Sequence, residues 1–179
     1  MKPYLLVLYN KIRFYIKKIR IREFETNGLQ MITRNSKLCF EKNSHIYFGD
    51  RLINDGRMVM IVEKGAKLYI GNHVYFNEEA MISCKRKIEI GNGCKFGPNV
   101  KIFDNNHKFD AVNGVSNAHS VGEIVIGENC WIGTNVVILK GARIGRNSVI
   151  GAGCIIGGEI PEASIVTQGR DLQIQAMRI

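Results

Sequence analysis

Long apolar runs are missing from this 179-residue chain. No uninterrupted stretch approaches the roughly 18 residues that a membrane-crossing helix needs. No signal-peptide cleavage pattern follows the Leu5-Leu6-Val7-Leu8 cluster, so the expectation is a chain that neither spans a membrane nor is secreted. Prolines number three and tryptophan occurs once, while 45% of residues are apolar, too many for a disordered tail and enough for one ordinary core. The five cysteines (Cys39, Cys84, Cys94, Cys130, Cys154) are odd in number and show no CxxC spacing. Buried thiols in a reducing compartment explain them better than disulfides. Acidic residues are absent before Glu23, where Lys2, Lys11, Arg13, Lys17, Lys18, Arg20 and Arg22 account for seven of the net +9 charges. The body is therefore nearly neutral. Without a basic face or interleaved aromatics, a nucleic-acid partner is not expected.

What is present begins with a helix. Leu5, Leu8, Ile12, Tyr15/Ile16 and Ile19 recur at helical spacing among lysines and arginines, which predicts one basic amphipathic helix. It either packs on the body and covers an unpaired edge, with its cations in water, or lies on an anionic bilayer.

Beyond it an isoleucine returns every six residues at Ile126, Ile132, Ile138, Ile144, Ile150 and Ile156, all but one followed by glycine. A period of six fits neither a helical stripe nor a flat sheet, so the chain bends after each short strand. Leu68-Tyr69-Ile70-Gly71-Asn72 is echoed by Ile88-Glu89-Ile90-Gly91-Asn92 and by Ile124-Val125-Ile126-Gly127-Glu128. Three hexads make one coil. The large residue at the first position points inward. So does a small or branched one at the fifth: Val74, Ala80, Cys94, Val100, Cys130, Val136, Ala142, Ser148 and Cys154. Glycine and asparagine between strands are read as tolerating the turns. The segment 37–62 is read as irregular first coils. An insertion rich in Asn, Asp, Gly and Ser follows Ile102, and a loop of that length in a solenoid is a functional hint.

With the Ile-Gly-x-Asn repeats, Asp104-Asn105-Asn106-His107 and Cys130-Trp131-Ile132-Gly133 together, the chain resembles the hexapeptide-repeat acyltransferases. Within them it is most similar to O-acetyltransferases of galactosides, maltose, nodulation factors and capsule or lipopolysaccharide sugars. The resemblance covers about residues 68–167. It implies an all-β fold, a left-handed parallel β-helix with an N-terminal amphipathic helix and a long loop protruding from one coil. The expected organisation is a basic segment at 1–26, an acyltransferase domain at 27–167 with its loop at about 104–121, and a tail at 168–179. It further implies a homotrimer with active sites in the clefts between neighbouring prisms, and acetyl-coenzyme A as cosubstrate, with no metal needed for the chemistry.

The resemblance makes His107 the general base, taking the proton of a sugar hydroxyl as its oxygen attacks the thioester. An ordinary imidazole, with a pKa of about 6.5, is mostly neutral near pH 7. Asn77 is expected on the acceptor side of the cleft, where its amide holds a hydroxyl or the tetrahedral oxyanion. Asp104 is expected to orient the ring or bind sugar, and Trp131 to wall the cleft. For coenzyme A, Gly133 and Gly151 admit the pantetheine arm, while Lys140, Arg143, Arg146 and Arg170 are the candidate cations for its phosphates. Val166-Thr167-Gln168-Gly169-Arg170 lacks the proline usual in relatives, and the helical domain that opens the galactoside and maltose enzymes is replaced by the basic segment. The acceptor thus shifts towards a lipid-linked or surface-polysaccharide precursor, with the protein cytoplasmic or peripheral on the inner face of the cell membrane. Open alternatives are N-acetylation of an amino-sugar nucleotide, a non-catalytic trimeric scaffold, and a zinc site, for which His45, His73, His107 and His119 look too scattered to supply a close pair.

Overall fold

The computed structural model describes residues 3–21 and 23–169. Short parallel strands follow one another round a triangular prism and stack into three sheets of seven, seven and six strands. Face A runs from Glu23–Thr26 through Lys87–Ile90 and Glu123–Ile126 to Glu159–Ile160. Face B includes Tyr75–Phe76, Lys95–Phe96, Trp131–Ile132 and Val149–Ile150, and face C includes Ala80–Cys84, Lys101–Phe103 and Val137–Leu139. This is the parallel β-helix implied by the resemblance, in its left-handed hexapeptide form. The solenoid starts at Glu23, inside the segment assigned to the N-terminal unit, because Glu23–Thr26 pairs in register with His45–Phe48.

The core is built as the repeat predicts. Ile70, Ile90, Ile126, Ile132, Ile138, Ile144 and Ile150 are buried in the prism. Each fifth-position residue named above is buried with them, and Phe76 stacks on Phe96 with centroids 4.3 Å apart. Cys84, Cys94, Cys130 and Cys154 are free and buried, and Cys39 is free and partly buried. Two expectations change. Residues 37–62 are regular rather than irregular: Glu23 pairs with His45 and His45 with Lys67, an advance of 22 residues per coil. The advance falls to 20 between Lys67 and Lys87 and to 18 between Val125 and Arg143. A 22-residue coil is not a multiple of six, so its repeat does not show as a hexad. The glycines after isoleucine also serve a different purpose from the one expected. A Cβ on Gly127 would lie 2.5 Å from the backbone nitrogen of Arg146, and one on Gly145 2.3 Å from that of Glu162. Close approach of successive coils demands them. Left-handed φ falls mainly two residues further on, at Asn129, Asn135 and Asn147.

Helix α1 (Pro3–Arg20) covers the first coil. Phe14 packs edge-on against Phe24 and Phe48, with centroids 5.4 and 5.9 Å away. Asn10 Nδ2 donates to the Ile32 carbonyl (2.9 Å), Arg13 Nη2 to Ser36 (2.7 Å) and Lys17 Nζ to Leu38 (2.9 Å). The coil's unpaired carbonyls are thus met by side chains, as an edge requires.

Candidate active site

The insertion is an ordered antiparallel hairpin, Asn105–Asp110 paired with Gly114–Val121, not an irregular loop. Its tip is turned by Asp110, whose Oδ1 accepts from the backbone nitrogens of Val112 (2.9 Å) and Asn113 (2.7 Å). Those donors hold the Asp110 carboxyl below its ordinary pKa. At the base, the residue expected to orient the histidine or bind sugar turns its carboxylate to the main chain instead. Asp104 is fully buried, and its carboxylate accepts from the main-chain nitrogens of Lys85 (2.8 Å), Arg86 (2.7 Å) and Lys87 (3.0 Å) and from Asn105 Nδ2 (3.1 Å). Its own carbonyl accepts from Gly122 (2.8 Å), so one residue ties both hairpin ends to the preceding coil. Burial, reinforced by this carboxylate, pushes the Cys84 thiol beside it up. Lys140 braces the hairpin from the following coil, donating to Ser120 Oγ at 2.8 Å.

His107 sits exposed on the first hairpin strand. Its Nδ1 lies 3.1 Å from the Ser116 carbonyl, an acceptor only, so Nδ1 carries the proton in the neutral ring and Nε2 keeps its lone pair. Across the hairpin stands His119, paired in register and with its ring centroid 4.2 Å away. The four histidines therefore do include a close pair, contrary to the reading of them as scattered. The pKa of His119 is lowered by desolvation first, then by its proximity to Lys85 and His107. Among the described residues, no three His, Cys, Asp or Glu side chains stand close enough to hold a metal.

A second cluster lies on face B and at the corner between faces B and C. Asn77, Trp131, Gly133 and Gly151 line one groove of about 500 Å³ with Tyr75, Lys95 and others. Trp131 is 59% exposed and forms a wall of it. Asn77 Oδ1 accepts from the Glu78 nitrogen at 2.8 Å, which leaves the amide nitrogen as donor. Tyr75 donates to Asp55 Oδ2 at 2.5 Å, and that bond pushes the phenol up to about 12.

The two clusters issue from different corners of the prism. Asn77 follows the face B strand Tyr75–Phe76, whereas the hairpin leaves between the face C strand Lys101–Phe103 and the face A strand Glu123–Ile126. His107 does not line the groove. The cations expected to share one phosphate site are scattered too. Lys140 is at the hairpin base, and Arg143 and Arg146 lie in another groove with Glu128, Glu159 and Glu162. Arg146 Nε is paired with Glu162 at 2.9 Å, and carboxylates there offset the positive charge a phosphate needs. Arg170 lies outside the described residues.

Sequence reasoning missed the pairing of His119 with His107, and it missed Lys95 and Tyr75. The signal for His119 was hairpin register, which follows only once the insertion is known to be paired. Lys95 and Tyr75 share the Tyr75↔Lys95↔Trp131 register row of face B, readable from the coil period.

Comparison with known proteins agrees with this architecture. The bacterial transferase hexapeptide signature (six repeats) matches residues 123–158. A galactoside O-acetyltransferase of Lactococcus lactis is 36% identical over 98 residues, 55% of this chain and 47% of that protein. The chain spans about half the length of the curated relatives it matches. Among solved structures, a Vibrio cholerae hexapeptide-repeat acetyltransferase complexed with acetyl-coenzyme A superposes with a TM-score of 0.59 at 20% identity, covering 87% of this chain and 71% of that one. The Bacillus cereus N-acyltransferase AntD, complexed with dTDP-4-amino-4,6-dideoxyglucose and coenzyme A, gives 0.64 at 13% identity, covering 92% and 90%. The chain carries the hexapeptide repeat over residues 123–158 and resembles the acyltransferases built on that repeat.

Proposed function

We propose that the chain is an acetyl-coenzyme A-dependent O-acetyltransferase acting on a hydroxyl of a saccharide, with residues 27–167 and the strand Glu23–Thr26 as its acyltransferase unit. The observation that carries this reading is the fixed tautomer of His107: Nδ1 is tied to the Ser116 carbonyl and Nε2 is left as a base on an exposed hairpin. Nε2 takes the acceptor hydroxyl proton as the oxygen attacks the thioester carbonyl. The new C–O bond forms, the C–S bond breaks, and the imidazolium returns the proton to the departing thiolate. No covalent enzyme intermediate is needed.

The groove on face B suits the rest of the substrate pair. The pantetheine arm lies along the groove lining that includes Gly133 and Gly151, Trp131 shields it, and the Asn77 amide donates to the acceptor oxygen or the oxyanion. Lys95 is a cation within this groove. Because His107 and Asn77 leave one prism at different corners, a complete site needs the hairpin of one copy against the groove of the next. A closed ring of three copies meets that need, and the exposed hairpin residues Phe109 (78%), Val112 (90%) and Val115 (72%) supply apolar contact for it. A lipid-linked or surface-polysaccharide precursor, met at the inner face of the cell membrane, is the acceptor class in this reading.

The test is release of coenzyme A thiol from acetyl-coenzyme A with galactosides and with lipid-linked saccharides, comparing the native chain with His107→Ala. Acceptor-dependent release lost in the variant supports the reading, whereas no release with any acceptor favours the scaffold. N-acyl transfer is the second reading, since AntD holds an amino-sugar nucleotide beside coenzyme A. Turnover of amino-sugar nucleotides but not hydroxyl acceptors would establish it.

A further inference from the structure

Helix α1 is mounted inside out. An amphipathic helix on a protein body normally buries its apolar stripe and leaves its cations in water. Here Arg13 and Lys17 turn inward to the carbonyls of Ser36 and Leu38. The apolar stripe turns outward: Leu5, Leu8, Ile12, Tyr15, Ile16 and Ile19 are all exposed, Ile19 to 72%. Inward anchoring falls to Asn10, Phe14 and Ile21, all buried. Lys11 and Lys18 border one side of the stripe and Arg20 the other, all three exposed, and the helix holds no acidic residue.

We propose that this outward face of α1 docks the protein on an anionic phospholipid bilayer, the stripe entering the acyl boundary and Lys11, Lys18 and Arg20 meeting the headgroups. Charge decides between a bilayer and a second copy of the chain. Two such helices packed stripe to stripe would bring their flanking cations together with no acid between them, whereas anionic headgroups complement them. The contact is interfacial, since among the described residues no helix is long and apolar enough to cross a membrane. Orientation follows from the fold. Because α1 covers the first coil and the hairpin leaves the fourth, coils about 4.8 Å apart and a helix about 10 Å thick set His107 on the order of 25 Å above the headgroups. The docking gives a physical basis to the membrane-facing acceptor proposed above, yet it stands on α1 alone.

The experiment is sedimentation of the full chain with vesicles of phosphatidylcholine, with and without about a third phosphatidylglycerol. Binding to the anionic vesicles that weakens with salt is expected. Lys11→Gln, Lys18→Gln and Arg20→Gln together should reduce it about 10²-fold, each cation being worth roughly fivefold. Ile12→Gln, Ile16→Gln and Ile19→Gln together should abolish it. The single variant Ile19→Gln, at the most exposed site of the stripe, should lower it about tenfold if the triple variant folds poorly. Failure of the native chain to sediment, or equal sedimentation of the apolar variants, would overturn the proposal. So would stripe variants that lower the mass by light scattering without changing vesicle binding, which would identify a second copy as the occupant. Acetyl transfer to a soluble acceptor is measured in parallel and should be unchanged in the stripe variants, so loss of docking and loss of the enzymatic reading are told apart.

Discussion

His107 and His119 face each other across one hairpin, ring centroids 4.2 Å apart, with Nδ1 of His107 held at 3.1 Å by the main-chain carbonyl of Ser116 and His119 held by a main-chain bond at Asn117. Their variants should differ, since the proposed base is His107. His107→Ala is expected to lower kcat by about 10² to 10⁴ with the fold intact. His119→Asn, keeping a polar group at the paired position, should cost about tenfold or less. Steady-state kinetics with circular dichroism on both variants checks this.

The hairpin should loosen in acid. The pKa of His119 is depressed in the folded hairpin, by desolvation first and then by Lys85 and His107, so the folded form binds the proton less well than an opened one. Its contribution is present above the ordinary histidine pKa of about 6.5 and is lost as pH falls through the lower folded value. Hydrogen exchange of residues 105–121, corrected for intrinsic rates, should speed up in that window, and His119→Asn should remove the dependence.

Asp104 is predicted to hold structure rather than substrate. Asp104→Ala strands the buried nitrogens of Lys85, Arg86 and Lys87 and should cost about 3 kcal/mol or more, with faster proteolysis of the hairpin. Asp104→Asn should cost less. Unchanged denaturation midpoints with a raised KM for the sugar would instead restore the role expected from sequence.

Trp131, the sole tryptophan, reports on the groove. Titration with coenzyme A should change its fluorescence. Trp131→Ala should weaken coenzyme binding about tenfold by calorimetry while altering stability by no more than about 0.5 kcal/mol.

Much of this was legible in the sequence, and the gaps have physical causes. The hexads from Ile126 to Ile156 reveal the coils because 18 residues is three sixes, whereas the 22-residue coils beginning at Glu23 and His45 hide the same architecture. Trp131 beside inward Cys130 reads as outward from alternation alone, and it is outward. Asp104 misleads because an aspartate at a loop entrance reads alike whether it faces solvent or backbone; only the buried nitrogens of the preceding coil decide. The stripe of α1 is obvious in sequence, but its direction is not. Periodicity shows that Leu5, Leu8, Ile12 and Ile19 share a face and is silent on which face Phe14 and Asn10 anchor.

The central claim is that acetyl transfer needs His107 of one copy beside Asn77 of another. His107→Ala and Asn77→Ala chains, each inactive or nearly so alone, should be co-expressed and purified as mixed assemblies. The account predicts recovery to about a quarter of the native rate, since random mixing leaves both groups intact at about one cleft in four. Mixed assemblies no more active than the parent variants would contradict it.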